Sequence, residues 1–138
     1  MEIILDANIL FAAMIKDGLT RRLILRTGWK FYVPEFIISE IENHMDTISE
    51  KTGMSNDEVI EMFENFIMLS DISIIPLQEI MPFIIEAEKI SPDIDDVHYF
   101  ALALKIGCPI WSNDTKLKKQ SPIKILTTKE ILDNNDMQ

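Results

Sequence analysis

Cysteine is almost absent from the sequence: Cys108 is the only one, so no disulfide can form within the chain. A single thiol is typical of proteins in reducing compartments, where cysteine serves as a small packing residue. No apolar run approaches the length of a membrane span, and the chain begins on a strand-like segment without a signal-peptide core. These absences predict a cytoplasmic protein. A chain of 138 residues is long enough to bury a hydrophobic core without disulfide bonds or structural metals.

Basic residues are also scarce, because 13 Lys and Arg stand against 23 Asp and Glu and the net charge is −10. This balance argues against broad, nonspecific attraction to nucleic acid. Two local basic clusters exist nevertheless, one near Arg22 and one around Lys116 to Lys124. Arg22, Lys116 and Lys119 are therefore our candidates for contacts with a nucleic-acid backbone. The alternative is that these charges only solvate the surface.

Short apolar runs alternate with helical patterns along the whole chain. Strands are predicted at the start of the chain and at residues 31–33, 72–75, 109–112 and 124–126. This alternation predicts an α/β protein: a three-layer α/β/α sandwich around a central, mainly parallel, five-stranded sheet. We expect residues 1–132 to form one domain and residues 133–138 to form a polar C-terminal tail.

Local signals predict several helix boundaries. Pro34 is placed in the first turn of a helix, where proline is tolerated, and apolar residues then continue at helical spacing to Ile48. Ser55 is followed three places later by Glu58, which is the pattern of a capping box. Thr128 is predicted to cap the last helix. We also expect single helices over residues 19–26, 79–90 and 94–106.

The helix after Ser55 carries a broad apolar band formed by Met62, Phe63, Phe66 and Ile67. Such a band is most simply core packing, since methionine fills irregular gaps well. A homodimer interface is the other hypothesis, because shared patches commonly form symmetric dimers.

Four acidic residues are predicted to converge at one edge of the sheet. Asp6 ends the first strand, and Asp114 follows the fourth strand. Glu40 lies roughly 9 Å along the helix after the second strand, at about 1.5 Å per residue. Asp96 occupies the first turn of the helix that leads into the fourth strand. Each acid could instead cap or favour its own helix terminus.

Carboxylates that share one pocket repel each other, and a cation relieves that repulsion. A donor set made of oxygen, with no cysteine and little histidine, favours Mg²⁺ or Mn²⁺ over Zn²⁺. The four acids therefore suggest a divalent metal site. His44 and His98 are more simply surface or packing residues than catalytic ones.

Four segments together resemble the motifs of the PIN-domain ribonucleases, in the same order and spacing over nearly the whole chain. They are Leu5-Asp6-Ala7-Asn8, Ile38-Ser39-Glu40-Ile41, Asp95 through Ala103, and Trp111-Ser112-Asn113-Asp114. The resemblance implies a PIN-like fold and a metal-dependent endoribonuclease. It matches Asp6, Glu40, Asp96 and Asp114 to the family's catalytic, metal-binding acids.

The same resemblance implies supporting roles for Asn8 and Ser112. The position that matches the family's third acid is ambiguous among Asp93, Asp95 and Asp96. Asp96 is preferred because Tyr99 follows it by three residues, and Asp93 is kept as a supporting residue. Relatives of this kind include toxins that a small antitoxin inhibits, RNA-processing enzymes and inactive members. The alternatives are therefore an inactive PIN-like protein-binding module, or a phosphoryl-transfer or receiver domain.

Overall fold

The structure is a computed structural model that describes residues 1–26 and 28–136. Five strands form one sheet in the order β3-β2-β1-β4-β5, and every neighbouring pair is parallel. Their bounds are β1 Glu2–Leu5, β2 Lys30–Pro34, β3 Ile72–Ile75, β4 Ile110–Trp111 and β5 Ile125–Leu126. Helices cover the sheet, so the predicted three-layer α/β/α sandwich is confirmed.

The α-helices connect the strands and follow one another in chain order. Their bounds are α1 Ala7–Ile15, α2 Leu19–Ile24, α3 Phe36–Asn43, α4 Met45–Thr52, α5 Asn56–Leu69, α6 Leu77–Ile80, α7 Ile84–Ile90, α8 Val97–Ile106 and α9 Thr128–Asp136. Short 3₁₀ segments lie at Met81–Phe83, Ile94–Asp96 and Thr115–Lys119. None of these helices, over the described ranges, is long and apolar enough to cross a membrane.

The centre of the sheet is the centre of the core. Ile3, Ile4 and Leu5 of β1 are completely buried, because helices cover both faces of this strand. Strands buried on both faces consist of continuous apolar runs, so β1 could be predicted from the sequence. Parallel pairing aligns Leu5 with Trp111. The carboxyl ends of β1 and β4 therefore lie side by side.

Two helix boundaries differ from the prediction. Pro34 does not start a helix; it is the last residue of β2, where it pairs with Ile75 of β3 beyond the last paired residue of β1. The expected continuous helix to Ile48 is broken at His44, which separates α3 from α4. His44 leaves the helical backbone region at φ −104° and ψ 10°, and its Nδ1 lies 2.9 Å from the carbonyl oxygen of Glu40.

Other predicted helices are shorter or more divided than expected. The helix predicted over residues 19–26 ends at Ile24. The helix predicted over residues 79–90 is α6, a 3₁₀ turn and α7, with Pro82 inside the turn. The helix predicted from residue 94 begins as a 3₁₀ turn and becomes α8 at Val97.

The N-cap residue was predicted correctly for α5, but for α9 the prediction was wrong by one residue. Ser55 and Glu58 form the expected capping box at the start of α5. At α9 the capping residue is Thr127, not Thr128: Thr127 Oγ1 accepts from the Glu130 backbone N–H, and Glu130 Oε1 accepts from the Thr127 N–H. α9 continues to Asp136, so residues 133–136 are helical where a polar tail was expected. Residues 137 and 138 lie outside the described residues.

The apolar band of α5 is largely core. Phe63 and Phe66 are only 7% and 8% exposed, and Met62 and Ile67 are half-buried against the core. Met68 and Leu69 are the exposed apolar residues of this helix, at 82% and 79%. A surface for self-association on α5 would therefore be centred on its last turn.

Candidate active site

The strand order reverses between β1 and β4, because the chain proceeds from β1 to β2 and β3 on one side and later to β4 and β5 on the other. Open parallel sheets bind ligands at such a switch point, outside the carboxyl ends of the strands. Asp6 follows β1 and Asp114 lies three residues after β4, so both acids stand at this position. The chain topology therefore points to the edge where these acids lie.

Ser112 joins the two acids. Its side chain is completely buried, and its Oγ donates a hydrogen bond of 2.7 Å to Asp6 Oδ2. The same oxygen accepts a 3.0 Å hydrogen bond from the Asp114 backbone N–H. Asp6 occupies the N-cap position of α1 but makes no side-chain capping bond there. Ser112 thus fixes the Asp6 carboxylate toward the end of β4.

The Asp114 side chain has a capping role as well. Its Oδ1 accepts from the Lys116 N–H at 3.0 Å, at the start of the 3₁₀ turn Thr115–Lys119. This bond uses one carboxylate oxygen, and Asp114 remains exposed. Burial raises the pKa of Asp6 above its ordinary value, and the charge of Asp114 raises it further, while the Ser112 hydrogen bond opposes both effects.

Glu40 is held by a residue that the sequence analysis used only as a motif marker. The Tyr99 hydroxyl of α8 donates a hydrogen bond to Glu40 Oε1 of α3. Tyr99 is 2% exposed, and a buried tyrosine hydroxyl needs such a partner. Burial raises the pKa of Glu40; the Tyr99 bond opposes this shift, and the charge of Asp6 adds to it.

The three neighbouring acids near residue 95 occupy different positions. Asp93 Oδ1 accepts from the Asp95 N–H at 2.9 Å and so caps the 3₁₀ turn. Asp95 is exposed, whereas Asp96 is half-buried and makes no side-chain capping bond. Burial raises the pKa of Asp96 to about 7, with further contributions from the charges of Asp6, Asp93, Asp114 and Glu40.

The four candidate acids thus act on each other electrostatically, but they do not form a closed cage. Within residues 1–26 and 28–136, no three His, Cys, Asp or Glu side chains stand close enough to hold one ion together. Mg²⁺ does not require such a cage, since it keeps several waters and is usually bound by one or two carboxylates plus substrate phosphates. The all-oxygen donor set fits a hard divalent cation of this kind.

A cavity of about 360 Å³ opens at the switch point. Its lining combines the predicted Asp6, Asn8 and Asp114 with Thr20 and Asn113, which the sequence analysis did not select. Asn113 Oδ1 also accepts from the Thr128 N–H, and so ties the cavity wall to α9. Glu40 of α3 and Asp96, which precedes α8, are outside this lining, but the charge of Asp6 contributes to the raised pKa of both.

The predicted basic residues belong to two different elements of the structure. Lys116 and Lys119 are exposed on the turn directly after Asp114, and Arg22 is exposed on α2. The other two arginines near Arg22 have structural partners. Arg21 donates to the carbonyl oxygens of Ala13 and Met14 at the end of α1, and Arg26 lies 5.5 Å from the Trp29 ring centroid.

His98 occupies a packing position and His44 is exposed, which are the two surroundings that the sequence analysis expected for histidines. His98 stacks on Phe36 with ring centroids 4.6 Å apart, and burial lowers its pKa. His44 lies 5.5 Å from the Phe11 ring and terminates α3.

The sheet and its acidic edge define a three-layer α/β/α protein with a carboxylate-lined cleft at the switch point. The chain belongs to the PIN-domain family, because the family model described as PIN domain matches residues 4–134. Members of this family are in general metal-dependent nucleases. No protein of curated function matches the chain.

Among solved structures, the fold is similar to the crystal structure of PAE2754 from Pyrobaculum aerophilum. The TM-score is 0.65 at 16% sequence identity, over 100% of this chain and 91% of the other. At this identity the likeness concerns the fold alone.

Asp96 gives the metal-free protein a specific pH dependence. Its folded-state pKa of about 7 lies above the ordinary 3.8, so its favourable contribution is present at low pH and is lost as the pH rises through about 7. We expect the free energy of unfolding of wild type, relative to Asp96→Asn, to decrease between about pH 4 and about pH 7 in EDTA and to change little at higher pH. Urea unfolding measures this difference. Parallel curves for the two proteins would contradict it, and Asp95→Asn is the matched control at the exposed neighbour.

Proposed function

We propose that this protein is a metal-dependent endoribonuclease that hydrolyses phosphodiester bonds of RNA with Mg²⁺ or Mn²⁺. The observation that carries the proposal is the group of Asp6, Glu40, Asp96 and Asp114 at the switch point. Burial and like charge raise the pKa of three of them. None of the four forms an ion pair within the described part of the chain. A bound cation would supply the missing positive charge.

The residues of the chain would divide the work of positioning. Asp6 and Asp114 would hold the cation at the cavity, with Ser112 fixing the orientation of the Asp6 carboxylate. Glu40, whose carboxylate is fixed by Tyr99, and Asp96 would add negative charge beside the cation. The cation, when bound, lowers the pKa of attacking water and polarises the phosphate. No side-chain nucleophile is needed for this reaction.

Two details favour this function over its alternatives. A phosphoryl-transfer or receiver domain would use Asp6 as an accessible nucleophile, but Ser112 already donates to its Oδ2 and the side chain is largely buried. An inactive binding module would have no use for Tyr99 holding Glu40 beside two other acids. The cellular setting that we propose is the toxin of a toxin-antitoxin pair, restrained by a small antitoxin protein.

Cleavage should depend on the cation and on the acids. We expect purified protein to cut RNA with Mn²⁺ or Mg²⁺ and to lose this activity in EDTA. Asp6→Asn should lower the rate by two or more orders of magnitude, because it keeps the shape of the side chain and removes one ligand charge. Denaturing gels of mixed RNAs measure the rate.

The matched control for Asp6→Asn is Asp71→Asn. Asp71 is exposed and directly precedes β3, at the opposite edge of the sheet, so this variant removes the same charge far from the cleft. It should cleave at the wild-type rate. Equal cleavage by wild type in EDTA, or by Asp6→Asn with Mn²⁺, would refute the proposed function.

We further propose that the protein is a homodimer through the end of α5, where Met68 and Leu69 expose their apolar side chains. Replacing both with Gln removes apolar surface from the patch without touching the buried Phe63 and Phe66. Light scattering at micromolar concentration should give the mass of a dimer for wild type and of a monomer for Met68→Gln/Leu69→Gln. A monomeric wild type would eliminate this proposal.

A further inference from the structure

Helix α1 is buried except along one strip. Six of its nine residues belong to the core. Asn8 and Ala12 are exposed, and Lys16, which follows the helix, is exposed as well. These three positions are four residues apart, so they form one line along the helix surface. The line begins at the acidic cavity and leads away from it.

Two cavities follow this strip and share part of their lining. The acidic cavity of about 360 Å³ and a second cavity of about 370 Å³ have Ala12 and Thr20 in common. The second cavity is completed by the apolar Ile15 and Leu19 and by Lys16, Gly18 and Lys51. We call the two together the α1 groove. Ala12 is the only exposed α1 residue between Asn8 and Lys16, and Thr20 of α2 borders both cavities beside it.

The far end of the α1 groove is basic in a protein of net charge −10. Lys16 comes from the end of α1 and Lys51 from the last turn of α4. Both are exposed, and neither has a carboxylate within 4.0 Å among the residues that the structure describes. The aliphatic part of Lys16 lies over Gly18, where an added Cβ would be 3.6 Å from its Cε.

The length of the groove suits a short piece of a nucleic-acid strand. Asn8 and Lys16 are eight residues apart, which corresponds to roughly 12 Å at about 1.5 Å per residue. A stacked strand advances about 3.4 Å per nucleotide. The groove therefore spans roughly three nucleotides beyond the acids. Lysines at its far end would face phosphates, while the carboxylates at its near end face the proposed cation.

We propose that the α1 groove holds the RNA strand on one side of the cleaved phosphodiester, with Lys16 and Lys51 contacting its phosphates and Ala12 leaving room for the backbone. This inference deepens the proposed function and rests on it. The basic pair is distinct from Lys116 and Lys119, which stand after Asp114. A protein segment is the other occupant that a groove could take, but two lysines without carboxylate partners among the described residues favour a polyanion.

Charge reversal tests the groove directly. We expect Lys16→Glu/Lys51→Glu to weaken binding of single-stranded RNA at least tenfold at low salt, measured by fluorescence anisotropy in EDTA so that no cleavage occurs. The slope of log affinity against log salt should decrease by about 1.4, since each phosphate contact contributes about 0.7 on a single strand.

The matched control is Lys30→Glu/Lys105→Glu, which makes the same change in net charge. Lys30 begins β2, and Lys105 lies in the last turn of α8, which leads into the start of β4, so both exposed side chains belong to the opposite edge of the sheet. This variant should keep most of the affinity and the wild-type slope. Thermal melts confirm that both double variants are folded.

A steric variant separates the groove from general charge effects. Ala12→Leu should weaken RNA binding with little change in the salt slope, because it fills the groove beside Thr20 without altering charge. Cleavage of a dinucleotide by wild type with Mn²⁺ tests the proposed function separately. If both Lys16→Glu/Lys51→Glu and Ala12→Leu show the affinity and salt slope of wild type, the groove does not bind RNA, and a protein segment is then its occupant.

Discussion

Parallel pairing of β1 with both β2 and β4 is the constraint on which the rest of the structure depends. It places the carboxyl ends of the central strands at one edge, and the reversal of strand order between β1 and β4 opens a cleft there. Asp6 and Asp114 enter that cleft because of where the strands end. Ser112, buried at the end of β4, then links the two acids. The resulting like charge is relieved by protons at low pH or by a cation.

Much of the fold was predictable because its strands are short, buried and apolar. The boundaries that failed depend on neighbours distant in sequence. Pro34 looks like a helix start, but its pairing with Ile75 keeps it in β2. Apolar spacing continues through His44, so the pattern alone does not reveal the break between α3 and α4. Thr127 was available from the sequence, since Glu130 follows it at capping-box spacing, but the adjacent Thr128 also fits a cap.

The candidate site was partly predictable for a related reason. Acids that directly follow a strand, such as Asp6, are placed by the strand itself. The side chains that contact these acids are not placed by a strand, so the sequence does not reveal them. Tyr99 reaches Glu40 across 59 residues, and Thr20 joins the cavity because α2 folds back on α1. The strip that ends at Lys16 was visible only after the structure showed which face of α1 the core leaves uncovered.

The central claim is that the acids at the switch point share a divalent cation, and calorimetric titration of Mn²⁺ into metal-free protein tests it most directly. Wild type should bind Mn²⁺, and at 100 times the dissociation constant the ion should stabilise the fold by about 2.7 kcal/mol. Asp6→Asn and Asp114→Asn should each bind at least tenfold more weakly, while Asp71→Asn binds like wild type. Undiminished affinity in both cleft variants would show that these acids do not share a site.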